Sequence, residues 1–530
     1  MTSQFSDHRY VSRPASARSL LGALTAILLS GCTVGPDFSS PAVPENAGYV
    51  RGGTLRPATE TPGVKGGGSQ KFVMGSDVSG QWWTMFGSKQ LNAFVEEAIR
   101  NHPSVEAAQY ALRSARETAI ASGGALYPQV SASDSQTRAR AAQSGQTPAY
   151  IYNLSNASVS VSYSLDIFGG NRRQIEANMA AAEYQRFQLE ATMLSLTANV
   201  VTTAITEASL RAQINATESI IKLQQDQLAR IQKQFELGAV PNSDVLSQQS
   251  NLAQTQASLP ALQKQLAQQR TALMAYLGRM PSDDRGESVD IASLRLPRNL
   301  PVSLPSDLVR QRPDIRAAEA TLQKASASVG VSVASMLPQL TLSGSYGGSA
   351  ATFASMFTSS QTVWSVAASV SQKLLDGGTL FHTKEASVAS YESNLALYKS
   401  TVISAFQNVA DSLHAVQYDA AALQAQNTAE QSAKASLAMA QSQYGTGAVN
   451  YTTVLNALQT YQNAVISRVK AQATRYTDTV ALYQSLGGGW WNRTDETDKA
   501  YPRKGAGYFA GPDSVKAPVE ISNNSKKKDP

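Results

Sequence analysis

The chain repeats itself, and that repeat limits what it can fold into more than any single motif does. Residues 101–130 read NHPSVEAAQYALRSARETAIASGGALYPQV, and residues 311–340 read QRPDIRAAEATLQKASASVGVSVASMLPQL. In register, Pro103, Ala107, Ala108, Leu112, Ala115, Ser122, Pro128 and Gln129 recur as Pro313, Ala317, Ala318, Leu322, Ala325, Ser332, Pro338 and Gln339. The order continues, with Phe168-Gly169-Gly170 answered by Asp376-Gly377-Gly378 and Gly238-Ala239-Val240 by Gly447-Ala448-Val449. Echoes in one order mean two related halves, not two unrelated domains. The expected organisation is a signal at 1–31, an extended segment at 32–85, repeats at 86–290 and 291–490, and an irregular polar tail at 491–530.

Each half has the same plan. An alanine-rich helix is expected over 91–123, and again over 307–335. Two stretches of period two follow. In 157–167, Ala157, Val159, Val161, Tyr163, Leu165 and Ile167 alternate with Ser158, Ser160, Ser162, Ser164 and Asp166. In the second half Leu340, Leu342 and Tyr346 alternate with small or polar residues, and so do Trp364, Val366, Ala368, Val370 and Leu374, with Gln372 as the missing beat. This pattern is a sheet with one apolar and one serine-rich face. The remaining strand, 129–141, is weaker, since little beyond Val130 and Ala132 is apolar. Pro128 and Pro338 mark the helix-to-strand corners.

The rest reads as unusually long helix. From Arg172 to Phe235 there is no proline or glycine, and the run is rich in Ala, Gln, Leu and Glu, all good helix formers. Residues 379–443 repeat it. Each run ends at a small-residue turn, and a return helix is expected from Ser243 or Thr452, read as N-caps, to about Leu277 or Leu486. Helices of this length stabilise one another as coiled coils.

The N-terminus reads as a processed export signal. Arg9, Arg13 and Arg18 precede an apolar stretch from Leu20 to Leu29 and then Leu29-Ser30-Gly31-Cys32. That stretch is shorter than the roughly 20 residues a permanent membrane helix needs. Small residues before the single cysteine match lipidation of Cys32 as the mature N-terminus; the alternative is a leader cut elsewhere, with Cys32 a buried thiol. One cysteine allows no intrachain disulfide. Thr33 in place of an aspartate favours sorting to the outer membrane. The formal net charge of +6 is no nucleic-acid footprint, and Lys526-Lys527-Lys528 belongs to a solvated tail.

Four half-apolar strands in one chain have two explanations, a core cover or a membrane wall. In lipid every strand edge must be closed, and the smallest barrels have eight strands. A membrane reading therefore makes several copies pool their strands: two would give eight and three would give twelve. The long helices then extend the barrel as a tube. The competing reading is a lipid-anchored scaffold without a pore.

At this point a family resemblance is plain. The chain resembles outer-membrane efflux channels of the TolC type, in the NodT-like lipoprotein branch that works with resistance–nodulation–division pumps. The residues that carry it are Gly31-Cys32 with Gly35-Pro36-Asp37, Trp82-Trp83 with Phe86, Leu126-Tyr127-Pro128, Leu165-Asp166-Ile167-Phe168-Gly169, Arg312-Pro313-Asp314-Ile315 with Ala318-Glu319, Asp376-Gly377-Gly378, and Leu482 through Trp490. The resemblance implies a homotrimer with a twelve-stranded outer-membrane β-barrel and a long coiled-coil α-helical barrel in the periplasm. It also implies a periplasmic adaptor and an inner-membrane pump as partners, in multidrug efflux. The adaptor-contacting tips by position are Leu237, Gly238, Ala239 and Val240, and Gly445, Thr446, Gly447, Ala448 and Val449. A type I protein exporter is the alternative partner.

One departure stands out. After the second tip the family carries Leu-Asp-Ala at its tunnel constriction, where this chain has Leu455-Asn456-Ala457. Asp244, after the first tip, remains as a source of negative field. Trp82 and Trp83 precede a helix instead of flanking a strand, so local packing is expected of them in place of an aromatic belt. Arg312 and Asp314 are expected to cap or pair locally.

Nothing points to an enzyme, a cofactor or a metal. His102, His382 and His414 are scattered, and Gly445-Thr446-Gly447 lacks the lysine of a phosphate loop. A passive conduit is expected, with energy supplied by its partner.

Overall fold

The computed structural model describes residues 33–42, 48–50, 55–145 and 148–493. The signal peptide, Cys32, and the tail from 494 with its lysine run lie outside the described residues.

The segment before the first repeat holds a short strand, β1 (Lys71–Met74), and a 3-10 turn (Trp82–Phe86), and the repeat itself opens with helices α1 (Lys89–Asn101) and α2 (Pro103–Ser122). The single helix expected over 91–123 is therefore two. Pro103 occupies the first helical position and cannot donate a hydrogen bond back into α1. His102 instead caps α2, its Nδ1 accepting from Ser104 N at 3.2 Å. The second repeat breaks at the same place, giving α5 (Pro305–Gln311) and α6 (Pro313–Ser335) in place of one helix over 307–335. It follows β4 (Asn299–Val302), which pairs in parallel with β1 and so ties the segment before the first repeat to the start of the second.

Between and after them lie β2 (Gln129–Ala141), β3 (Tyr150–Leu165), α3 (Gly170–Glu236), α4 (Asn242–Tyr276), β5 (Gln339–Ala350), β6 (Thr362–Ser371), α7 (Thr379–Gly445) and α8 (Tyr451–Ser485). Both α3 and α7 have 67 residues, about 100 Å at 1.5 Å per residue. Their return helices have 35 and so cover only half of that length. The other half of α3 lies against α2 and α6, and that of α7 against α6. Pro260 stands inside α4 without ending it.

The strands run into the long helices through two matching junctions. Gly169 and Gly378 take the left-handed conformation, with φ of 76° and 85°. Asp166 accepts from Asn171 N and Arg172 N at 2.9 and 3.0 Å. Asp376 accepts from Gly378 N and Leu380 N at 3.0 and 2.9 Å. These carboxylates satisfy helix-start amides that have no partner within the helix. That role also ends β3 at Leu165, before the expected Ile167, because Asp166 turns toward the helix. β6 likewise ends at Ser371 and leaves Leu374 outside the strand.

The largest core cluster lies where the helical repeats meet, between the sheet and the hairpin tips. Trp82 stacks on Tyr483 with ring centroids 5.6 Å apart, and Phe86, Phe94, Leu273 and Tyr476 pack into the same cluster. Trp490 Nε1 donates to the Gln311 carbonyl at 2.6 Å, and Trp491 Nε1 to Asp77 at 2.9 Å. These tryptophans pack in the helical core instead of forming an aromatic belt, and their partners are distant in the chain. Arg312 pairs with Asp314 and also donates to the Ser485 carbonyl at 2.8 Å. The pair thus stays local but also fastens α6 to the end of α8.

Candidate functional site: a sheet wall and two helical tips

β2, β3, β5 and β6 form one antiparallel sheet in the order β2-β3-β5-β6. β3 of the first repeat pairs with β5 of the second, so the two hairpins are continuous. The register carries the alternation across every strand. Val130, Val161, Gly344 and Val366 stand in one row, and Ala132, Val159, Tyr346 and Trp364 in the next on the same face. On the opposite face Ser131, Ser160, Ser345 and Ser365 form a row, with Ser345 and Ser365 hydroxyls 2.8 Å apart. A one-residue slip would mix the two faces. Among the described residues nothing covers these apolar rows: Trp364 is 72% exposed, and Val130, Tyr346, Val366 and Val370 are exposed as well. β2 and β6 are open edges. Among the described residues no helix is long and apolar enough to cross a membrane.

At the far end of the long helices the two tips have the same geometry. Gly238 and Gly447 sit at φ of 71° and 76°, values that L side chains avoid and glycine takes freely. Gly238 N donates to Phe235 O and Ala239 N to Gln234 O, both at 2.9 Å; Gly447 N and Ala448 N make the same bonds to Tyr444 O and Gln443 O at 3.0 and 2.9 Å. Each is a helix C-cap built on a left-handed glycine. Leu237, Gly238, Ala239, Gly445, Thr446, Gly447 and Ala448 are exposed, while Val240 and Val449 are half-buried. Leu237 is 74% exposed.

The return helices begin one residue before the expected caps Ser243 and Thr452. Pro241 takes the cap position of α4, with no side-chain bond. Asn450 caps α8, accepting from Thr453 N at 3.1 Å. That start makes Tyr451 the first residue of α8 and lets its ring enter the tip core with Ile231, Val245, Leu437, Val454 and Leu458. This core holds the two hairpins together at their ends, and Val240 packs against it.

Asp244 and Asn456 are the residues expected at a constriction. Asp244 lies beside the Tyr444–Tyr451 ring pair, whose centroids are 5.2 Å apart. Burial, reinforced by that carboxylate, pushes the Tyr444 hydroxyl above its ordinary value; Tyr451 is raised by burial, Tyr444 and Asp244. Asn456 is exposed on α8.

Two groups escaped sequence reasoning. Arg173, 5% exposed, gathers the segment that follows Cys32. Its Nε donates to Val34 O at 3.2 Å, and its Nη atoms pair with Asp37 and Glu176 at 2.7 and 2.8 Å. Val34 N donates to Phe168 O at 3.1 Å, and Gly35 lies against the Gly330 backbone. A charged residue just past Phe168-Gly169-Gly170 was the available signal. The second group is Arg475, buried on α8, which donates to Gly66 O, Gly68 O and Gln70 Oε1 at 2.8, 3.1 and 3.0 Å. Near it, burial and the neighbouring Asp419 carboxylate push Asp478 up to about 8.

Comparison with known proteins agrees with this geometry. The outer membrane efflux protein family model matches residues 94–279 and 304–488. The pyoverdine export outer membrane protein OpmQ of Pseudomonas putida is 28% identical over 77% of this chain and 88% of its own. The antibiotic efflux pump outer membrane protein ArpC of Pseudomonas putida is 26% identical over 91% of this chain and 98% of its own. Among solved structures, the outer-membrane channel OprN superposes with a TM-score of 0.77 at 26% identity, covering 87% of this chain and all of that one. VceC of Vibrio cholerae, at 24% identity and a TM-score of 0.72 over 78% of this chain and all of its own, shares the fold.

Proposed function

The chain belongs to the outer membrane efflux protein family, and on that premise we propose that three copies form a passive outer-membrane exit channel of a tripartite efflux system. The observation that carries this reading is the sheet: one exposed apolar face in register over four strands, one serine face, and two open edges. Lipid tolerates no open edge, so the edges close on other copies, and three copies supply twelve strands. The apolar rows face lipid, with Tyr346 and Trp364 adjacent on that face as interfacial rings do. The serine rows line water.

The other parts follow from this placement. The long helices continue the conduit into the periplasm, and the tips at Leu237–Val240 and Gly445–Val449 meet a periplasmic adaptor. An inner-membrane pump of the resistance–nodulation–division type supplies the energy, because the conduit itself does no chemistry. Cys32 carries lipid, and the clasp of Arg173 on Val34, Gly35 and Asp37 holds that lipid beside the inner rim of the barrel. The names of similar proteins, which include pyoverdine and antibiotic exporters, support small molecules as cargo.

Planar-bilayer conductance tests the channel. Protein whose mass in mild detergent is three chains should give stable current steps, and silence from such trimers would sink the pore. Restored drug extrusion in a deletion strain, dependent on adaptor and pump, tests the assembly.

A further inference from the structure

The end of the sheet away from the helices, outward in the channel reading, carries basic charge on one face only. β2 and β3 run past the other two strands there. Ser155 is the last residue of β3 opposite β5, while the β2–β3 ladder continues to Ala141 and Tyr150. On that extension Arg138 stands opposite Asn153 and Arg140 opposite Ile151. Counting by twos from Val130 and Ala132 puts both arginines on the apolar face. The water face of the same stretch carries Ser133, Ser135, Thr137 and Ala139.

The level of the arginines follows from a count of residues. A strand crossing lipid uses about nine to eleven residues. From Leu165, where β3 ends beside the helix junction, that count ends between Ala157 and Ser155. The next rows of this face are Arg138 with Asn153 and Arg140 with Ile151, so the guanidiniums stand where headgroups begin. Two residues apart on one strand, they are about 7 Å apart, and their long side chains can meet on one phosphate. Both are exposed, and among the described residues no carboxylate pairs with either. Asp134, on the same face, lies about 14 Å down the strand from Arg138, beyond ion-pair reach.

The loop between β5 and β6 marks the same level. It turns back onto the apolar face, where a Cβ at Gly348 would run into the Met356 backbone. Its 3-10 turn (Ser355–Phe357) lies on β5 and β3. Met356 is buried there, as are Ala350 and Ser155, while Phe353 and Phe357 stay exposed. The two rings pack edge to face with centroids 5.3 Å apart. They continue outward the aromatic girdle that Tyr346 and Trp364 begin, and Arg138 stands one row beyond the Ser155 row.

We propose that Arg138 and Arg140 form a binding site, on the outer wall of the channel, for the phosphate of a lipid headgroup in the outer leaflet. The site rests on the lipid-facing reading of the sheet given above and adds a ligand to it. Guanidinium suits the role, because its planar fork donates two hydrogen bonds to one phosphate. Charges placed to select ions would line the water face, which over this stretch has none.

Lipid retention by purified trimers tests this. The full chain is held in mild detergent and titrated with bisphosphorylated lipid A or with its dephosphorylated form, and bound lipid is counted by native mass spectrometry. The expected result is retention of the phosphorylated lipid alone, weakened about tenfold by Arg138→Gln combined with Arg140→Gln. Arg138→Lys with Arg140→Lys keeps the charge without the fork and should fall in between. Lys264→Gln with Lys434→Gln removes the same charge from exposed positions on α4 and α7 and should change nothing. Full retention in the Arg→Gln variant, an equal loss in the Lys→Gln variant, or equal binding of the dephosphorylated lipid overturns the site. In each of those cases trimer mass and conductance leave the channel standing. A wild-type chain that gives neither trimers nor current removes the lipid-facing wall, and the site with it.

Discussion

The Tyr451 hydroxyl donates to Gln248 Oε1 at 2.7 Å, and Gln248 Nε2 donates onward to the Gln224 carbonyl at 2.7 Å. This relay joins the head of α8 to both helices of the first hairpin, inside the tip core. A buried acceptor that loses its donor costs about 1–3 kcal/mol. Tyr451→Phe should therefore loosen the tips and leave the sheet untouched. Faster amide exchange confined to residues around 444–458, with unchanged trimer mass, is the expected outcome; exchange at the original rate would show that the relay does not hold the tips.

Gly238 and Gly447 take left-handed backbone with open space around the missing side chain. A bulky residue at either position costs on the order of 1 kcal/mol in backbone strain and alters the exposed tip. Trimers should persist while drug extrusion falls. Gly445, which has open space and no positive φ, is the control for bulk without strain. Normal drug accumulation in the Gly238 and Gly447 variants would reject the adaptor assignment.

The sequence resemblance puts Asn456 at a position where an aspartate is expected. If α8 lines the constriction at this point, Asn456→Asp brings three carboxylates together in the trimer and should raise cation selectivity. Reversal potentials under a salt gradient read this, and the effect should fade as salt screens the ring. A selectivity indifferent to the substitution would remove Asn456 from the constriction.

Asp478 is raised to about 8 by burial and by Asp419 on α7, with Arg475 opposing. An unfolded aspartate titrates near 3.9, so between about 4 and 8 the folded protein holds a proton that the unfolded chain has lost. Stability from this group is thus full below pH 4 and declines as pH rises through that window. Asp478→Asn should raise the melting temperature at pH 8 and change it little at pH 4. Equal shifts at both values would mean that the carboxyl does not titrate in this range.

Cys32→Ser should cost lipid labelling and early retention at the membrane more than it costs folding, because the assembled barrel holds itself in lipid. Labelling with a radioactive fatty acid and membrane fractionation measure the two separately. Label retained by the variant would place the anchor elsewhere.

The parts most legible in the sequence were those governed by local rules. Alternation from Ala157 to Leu165 marked a strand because side chains on a pleated sheet alternate, and the proline-free runs marked α3 and α7. β2 was faint because Ser131 to Arg140 gives it little apolar face of its own; it is a strand because β3 offers it a complete ladder of partners. The breaks at Pro103 and Pro313 were written in the chain, yet the alanine-rich pattern on either side suggested continuous helix. Ser243 and Thr452 had the chemistry of caps, but core packing of Tyr451 placed the start of α8 elsewhere.

By itself, then, the sequence determined two repeats, their helix and strand periods, and the small-residue turns at the tips, because each depends on residues near one another in the chain. Only the tertiary structure decided that β3 pairs with β5 to make one sheet, that Arg173 clasps the segment after Cys32, and that Tyr451 reaches Gln248. Those contacts join residues far apart in the chain, and their partners are selected by shape and burial that no local pattern records.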